Sequence, residues 1–345
     1  MSTLFSHFFT KINEISPLEA DFTSVLSSIV LKPKTLYFYG KMPENMVKNS
    51  KSERPKTVAI VGSRHNTRYG EEVAYKLAYE LGKRGVIVVS GLAYGIDSIS
   101  HRGCLDAGGT TVAVLGTRID DVYPKAHIPL AAEIIEKNGA IISEYASLRD
   151  KNAPLGPAEA GWNGTKWIGY EAENRGAGAP PYEKRRLEQK ASFLYRNRLI
   201  SGLSDIVVIV EAAEHSGTLN TAAHALDQGK TVFAVPGNIT NIYSKGCNNL
   251  IKQGAIPYTE LNDVLRELFP EEYAQKHRKS TKISQIHGDT LEETAILRAL
   301  ATGLSSGSEI AEKMDLTPEV FNQTISMLEI KGRVMSLGAN HWGLI

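Results

Sequence analysis

Six short apolar runs, at 58–61, 86–89, 111–115, 140–143, 206–210 and 231–235, are rich in β-branched residues and bounded by Gly or polar positions. Between them, apolar residues recur at helical spacing, as in the stretch 69–81. A strand that is apolar on both faces, followed by an amphipathic helix and then another such strand, predicts a parallel sheet covered on each side. The predicted class is therefore α/β, an extended Rossmann-like doubly wound parallel sheet, over residues 56–269.

The pattern changes on either side of this core. Residues 1–55 hold an apolar run at 22–31 that predicts a helix. An extended Leu36-Tyr37-Phe38-Tyr39 follows, closed by Gly40, and then a polar linker with Lys48, Lys51 and Pro55. They are expected to form a separate N-terminal segment. From about 147 to 190 the alternation stops, and Gly, Pro, Asn and two Trp residues appear without period, which predicts an insertion. A polar linker with Lys276, Arg278, Lys279 and Lys282 is expected over 270–290. Three short helical patterns and a terminal hairpin then fill 291–345, the order of a small C-terminal winged-helix domain. Many such domains enter duplex DNA with the third helix. Here that helix carries Glu319 and Glu329 with few cations, so a protein-contact or structural role stands equally open.

Composition narrows the picture in three ways. The 345 residues are 42% hydrophobic and 22% charged, ordinary values for a globular chain with a sizeable core. The net charge is only +1, so any affinity for nucleic acid must come from cations gathered in one place. Cys104 and Cys247 stand far apart without a CxxC context, which suits reduced thiols. The N-terminus lacks the features of a signal peptide, and no run approaches the roughly 18 apolar residues of a membrane span. A cytoplasmic protein without a membrane role is expected.

In an open α/β sheet, ligands sit beyond the carboxyl ends of the strands. Three turns there carry candidate chemistry. Gly62-Ser63-Arg64 combines a glycine that lets backbone approach a ligand, a helix N-terminus that attracts anions, and a fork-shaped cation. Ser90-Gly91-Leu92-Ala93-Tyr94-Gly95-Ile96-Asp97 repeats the theme, with Asp97 placed to cap the next helix. Ser216-Gly217-Thr218 opens onto a third helix. Three anion-receptive turns on one edge suit a ligand with several phosphates. Lys184, Arg185, Arg186, Lys190, Arg196 and Arg198 add the missing charge, with Phe193 and Tyr195 among them. Cations interleaved with rings track a phosphate backbone while bases stack.

These motifs, with Tyr123-Pro124, Arg196-Asn197-Arg198 and Gly246-Cys247-Asn248-Asn249, resemble in order the core of the DprA (Smf) family from about residue 57 to 265. The resemblance implies a dimerising, extended Rossmann-like protein without catalytic residues, metal or cofactor. It further implies binding of single-stranded DNA and loading of the RecA recombinase during natural transformation. Carried onto this chain, Arg64 and Arg196 become phosphate contacts and Phe193 a base-stacking ring. Gly62, Ser63, Ser90, Gly91, Gly95, Asn197, Arg198, Ser216, Gly217 and Thr218 complete the expected pocket, with Lys245 and Gly246 at its margin. Leu194 and Tyr195 depart from the family's Pro and Arg, so one cation of the pocket is replaced and Tyr195 becomes a further candidate for stacking. The homodimer is expected to use residues 248–268.

Other chemistries lack their residues. There is no GxGxxG followed by the acidic residue of a nicotinamide site, and no Walker A sequence. Gly303-Leu304-Ser305-Ser306-Gly307 has the spelling of a nucleophile elbow but lies between two predicted helices. The alternative is a Rossmann-like nucleotide-processing enzyme, a LOG-type phosphoribohydrolase. Its PGGxGTxxE turn corresponds here to Ser216-Gly217-Thr218-Leu219-Asn220-Thr221, without the closing Glu that would serve as acid or base.

Overall fold

A computed structural model describes residues 9, 11–43, 54–147, 181–270, 286–338 and 340–345, with the backbone of two short strands at Gly161–Trp162 and Trp167–Ile168. Side chains of 161–190 lie outside the described residues. The chain divides into two units, Met1–Leu268 and Phe269–Ile345.

The first unit is built on one nine-stranded sheet. Its strands are β1 (Asn13–Ile15), β2 (Leu36–Gly40), β3 (Thr57–Val61), β4 (Ile87–Ser90), β5 (Thr111–Leu115), β6 (Ala140–Ser143), β7 (Ile206–Ile209), β8 (Thr231–Ala234) and β9 (Ile256–Pro257). Their order across the sheet is β1-β2-β6-β5-β4-β3-β7-β8-β9. From β6 to β9 every pairing is parallel, and the β1–β2 and β2–β6 pairings are antiparallel, so β2 alone runs against the rest. The five residues of β3 are all buried, as are those of β5, which explains why these runs carry no polar alternation.

The helices are α1 (Arg68–Gly82), α2 (Ile96–Asp106), α3 (Ile128–Glu136), α4 (Pro181–Gly202), α5 (Thr218–Asp227), α6 (Lys245–Lys252) and α7 (Leu261–Leu268). Thr67 caps α1 by accepting from the Gly70 amide at 3.3 Å. α2 packs close on α1 at Gly103, where a Cβ would lie 2.6 Å from the Tyr75 carbonyl oxygen.

Three boundaries read from sequence are corrected. The segment 1–55 is not separate, because β2 pairs with β6 and buries Leu36 and Tyr39, so the sheet extends through it. The helix expected at 22–31 is a turn of α-helix, Asp21–Ser24, followed by a 3-10 turn, Val25–Ser28. Ser27 and Ser28 donate back to the carbonyls of Ser24 and Val25, a local bonding that competes with α-helix propagation. Helix α4 begins at Pro181, so the last ten residues of the expected insertion are helical. Residues 148–160, 163–166 and 169–180 of that insertion lie outside the described residues.

The second unit holds α8 (Leu291–Ala301), α9 (Gly307–Lys313), α10 (Pro318–Ile330) and an antiparallel hairpin of β10 (Val334–Gly338) and β11 (His341–Leu344). Its core joins Ile296, Leu300, Ile310, Phe321, Ile325 and Leu328. Ile286 packs against it, so the end of the expected linker is part of this unit, while 271–285 lie outside the described residues.

Candidate nucleic-acid interface

The strand order reverses direction at β3, whose neighbours β4 and β7 lead away on opposite sides. A crevice opens at the carboxyl ends there. It is a cleft of about 600 Å³, lined by residues after β3 (Gly62 to His65), from α4, and from the turn before α5 (Ser216 to Thr218). Gly62 is required by packing, since a Cβ would lie 2.6 Å from the Ile96 side chain. Its carbonyl accepts from the Thr218 hydroxyl at 3.0 Å, tying the first turn to the third.

Two of the three turns expected to hold ligand anions are already occupied by the protein's own carboxylates. Glu211, almost fully buried, accepts from the Thr67 amide at 2.8 Å and its hydroxyl at 2.6 Å, placing a negative group at the N-terminus of α1. Asp97 does not cap α2 through its side chain. It reaches back to accept from the amides of Gly91 at 3.1 Å and Ala93 at 3.4 Å. Burial pushes the Asp97 carboxyl up, and the adjacent Arg196 opposes that shift. Only the turn before α5 has no acidic residue in the first helical turn.

Helix α4 supplies the wall. Phe193, Arg196, Asn197 and Ile200 follow the i, i+3, i+4, i+7 pattern of one helix face and line the cleft. Phe193 is half-buried, and its ring centre lies 5.5 Å from that of Tyr123. The guanidinium carbon of exposed Arg64 sits 5.4 Å from the centre of the Phe193 ring, and that of Arg196 5.9 Å. Arg196 is buried, and its Nη1 donates to the carbonyls of Gly91 (2.8 Å) and Val114. Burial draws its guanidinium down to about 10, with Asp97 pulling the other way, so it remains charged at neutral pH. Its Nε donates to the Asn197 side chain at 3.3 Å, so Arg196 lines the cleft with Nη1 and Nε committed to the protein, whereas Arg64 beside it is exposed. Asn197 donates to the Gly217 carbonyl at 3.3 Å and to Asn220 at 3.2 Å, holding the third turn against α4.

Arg198 is corrected more fully. It points away from the cleft, 2% exposed, with Nη2 donating to both Glu144 oxygens at 2.8 Å and Nε to the Leu31 carbonyl at 2.9 Å. Tyr195, considered for stacking on a base, lies instead under this guanidinium at 3.8 Å.

Other expected residues shape the loops. The Ser90 hydroxyl donates to the Ile60 carbonyl at 2.7 Å and is buried. A Cβ on Gly91 would meet Arg196 at 2.6 Å, and one on Gly95 would meet the Ser63 carbonyl at 2.3 Å. Gly246 brings its amide to the Ala212 carbonyl at 2.8 Å, and Lys245 is exposed outside the cleft lining. Sequence reasoning missed Tyr123, His65 and Tyr243 as cleft residues. For Tyr123 the signal was present, since Tyr123-Pro124 follows β5 and so lies at the informative edge.

Among the described residues no group of three His, Cys, Asp or Glu side chains could hold a metal, and no helix is long and apolar enough to cross a membrane. Fold and site together define an extended Rossmann-like α/β protein. Its carboxyl-edge cleft offers an exposed arginine and aromatic rings, and protein carboxylates fill two of its anion positions.

The family described as DNA recombination-mediator protein A matches residues 13–154 and 171–269. Protein Smf of Escherichia coli is 39% identical over 211 residues, 61% of this chain and 46% of that protein. DNA processing protein DprA of Bacillus subtilis is 33% identical over 264 residues, 76% of this chain and 73% of that one. The chain thus spans under half the length of the E. coli relative. Two relatives of solved structure share the fold. DprA of Streptococcus pneumoniae has a TM-score of 0.56 at 32% identity over 76% of each chain. The DprA of Helicobacter pylori, whose structure is described in terms of a unique single-stranded DNA binding mode, has a TM-score of 0.55 at 26% identity over 77% of this chain and 98% of that one. The chain belongs to the DNA recombination-mediator protein A family.

Proposed function

We propose that this protein binds single-stranded DNA in the cleft and, as a homodimer, promotes loading of RecA recombinase onto the strand. The observation that carries the reading is Arg64 over the Phe193 ring, with Tyr123 beside it. An exposed cation and neighbouring rings give a phosphate contact and sequence-tolerant base stacking in one place. The H. pylori relative supports the ligand class, and the family supports a role in recombination. Of the expected residues, Gly62, Ser63, Arg64, Phe193, Ser216, Gly217 and Thr218 form the contact surface, with Arg196 and Asn197 positioning it. We read the C-terminal unit as a winged helix.

Self-occupied anion positions at Asp97 and Glu211 weigh against the phosphoribohydrolase alternative, whose mononucleotide would need them. The test is fluorescence anisotropy with labelled single-stranded and duplex oligonucleotides across a salt series, with AMP in a parallel assay for released ribose phosphate. Preference for the single strand with steep salt dependence is expected. Equal affinity for blunt duplex, or hydrolysis of AMP, would overturn the proposal. For recombinase loading, filament growth on strands coated by single-strand-binding protein should accelerate, and no acceleration would remove that part.

A further inference from the structure

Tyr94 stands alone among the residues of its loop in being exposed and aromatic. Its relative exposure is 48%, whereas Leu92 and Ile96 nearby are fully buried. A large ring left in water on a flexible loop would be unremarkable. This loop, however, is pinned on every side of it. The Ala93 amide donates to Asp97, and the Leu92 carbonyl accepts from His127 Nδ1 at 2.8 Å. Gly95 has φ +74° and lies so close to the Ser63 carbonyl that a Cβ could not fit. Leu92 itself is held at φ 58°, a left-handed conformation that costs a non-glycine residue of order 1 kcal/mol or more. Backbone in such a conformation persists only where its surroundings over-determine it, and here they fix the residue that carries the ring.

Tyr94 also has an aromatic neighbour. The His127 ring centre lies 4.9 Å away, with the two planes at 67°. An edge contact of this kind uses at most one face of one ring, so the exposed phenol keeps a face for another flat partner. The position in the fold is the third observation. Ala93, the preceding residue, lines the cleft, as does Tyr123, four residues before His127. The carboxyl ends of β7, β3, β4 and β5 stand side by side, about 4.8 Å apart. Along them lie the Ser216 turn, Arg64, the Tyr94 loop and the loop bearing Tyr123 and His127.

We propose that Tyr94, backed by His127, is a second base-stacking subsite that takes a nucleobase of the strand next to those held in the cleft. The strand then runs along the carboxyl edge of the sheet, from the turn before α5 toward the end of β5. This inference rests on the single-strand reading above. A rigid ring loses little freedom when a base stacks on it, so the subsite adds affinity without requiring a cation.

The experiment measures affinity for an oligothymidine series of rising length with wild type, Tyr94→Ala, Tyr94→Phe and Phe193→Ala. With strands that fill only the cleft, Tyr94→Ala should match wild type. With longer strands it should bind about tenfold more weakly, on the order of 1.4 kcal/mol, and Tyr94→Phe should retain the wild-type gain. Thermal unfolding of Tyr94→Ala should match wild type, since the side chain is exposed. Equal affinity of Tyr94→Ala and wild type at every length would overturn the subsite, as would an equal loss at every length. If Phe193→Ala weakens all lengths while Tyr94→Ala weakens none, the cleft reading stands and this inference alone falls. If wild type binds no strand, both fall.

Discussion

Glu211 holds Thr67 with both carboxylate oxygens, one on its amide at 2.8 Å and one on its hydroxyl at 2.6 Å. The contact spans the switch point, since Glu211 follows β7 and Thr67 caps the helix after β3. It puts a covalently attached anion where a Rossmann-like fold presents a helix N-terminus to a phosphate. Glu211→Gln should therefore cost about 1–3 kcal/mol of stability through its charge-assisted hydrogen bonds. It should leave strand affinity unchanged or slightly raised, because a negative charge is removed. Chemical denaturation and anisotropy check the two halves, and weaker binding by a stably folded Glu211→Gln would contradict the assignment.

Arg64 and Phe193 should be separable by salt. Arg64→Ala should weaken binding and reduce the slope of log K against log salt by about 0.7, the value for one phosphate contact on a single strand. Phe193→Ala should lower affinity by about 1–3 kcal/mol with the slope preserved, because a ring releases no counterion. Titrations between low and moderate salt decide it.

Arg198 should behave as a structural residue despite its place in a basic run. Removing one partner of a buried ion pair strands the other, at a cost of about 3–5 kcal/mol. Arg198→Ala and Glu144→Ala should both lower the denaturation midpoint strongly. For any fraction that stays folded, the salt slope should equal that of wild type. A reduced slope for Arg198→Ala would place the side chain on the DNA after all.

Mild acid should weaken the fold through two buried histidines. Burial draws His101 down to about 3 and His224 to about 4 from an ordinary 6.5, with further lowering from His127 and Arg196 for the first and from Arg198 for the second. The Thr111 hydroxyl gives its one proton to the Val88 carbonyl, so it accepts from His101 Nδ1 at 2.7 Å. The unfolded chain takes up protons near pH 6.5 that the folded chain refuses until near 3 to 4. The stability present above pH 6.5 is therefore lost progressively as pH falls below it. At pH 5.5 the loss should be about 1.4 kcal/mol for each histidine. Urea midpoints at pH 7.5 and 5.5 measure it, and identical midpoints would refute it.

Self-association should depend on Ile256, which is 41% exposed, rather than on all the apolar residues of 248–268. Leu250 and Val264 are buried within the protomer. Ile256→Glu should shift sedimentation toward the monomer with little change in stability, and an unchanged dimer would move the interface elsewhere.

The sheet was legible because a strand buried on both faces leaves a continuous apolar run. All six predicted runs became strands within a residue of their expected ends. Leu36 to Gly40 was seen as extended but not as part of the sheet. Its partner lies about a hundred residues away, and nothing local announces that pairing. Gly62, Arg64 and Phe193, singled out by residue type, do come together in the lining of one cleft. Arg196 and Arg198 were grouped by sequence proximity, yet two residues on a helix differ by about 200° in direction. Reading the run as α4 would have sent Arg198 to the opposite face, toward Glu144. The filling of two anion turns by Asp97 and Glu211 needed coordinates, because Glu211 is distant in sequence from the turn it fills.

The two rims of the sheet set limits on how copies of this protein can join. β1 has three residues, and β9 has two, one of them Pro257, which has no amide proton to give. Such short ends offer almost no unpaired backbone for another chain to zip onto. At the described margins of this nine-stranded sheet, growth by strand addition is therefore disfavoured, so two copies meeting there would be joined by side chains rather than by a continued backbone ladder.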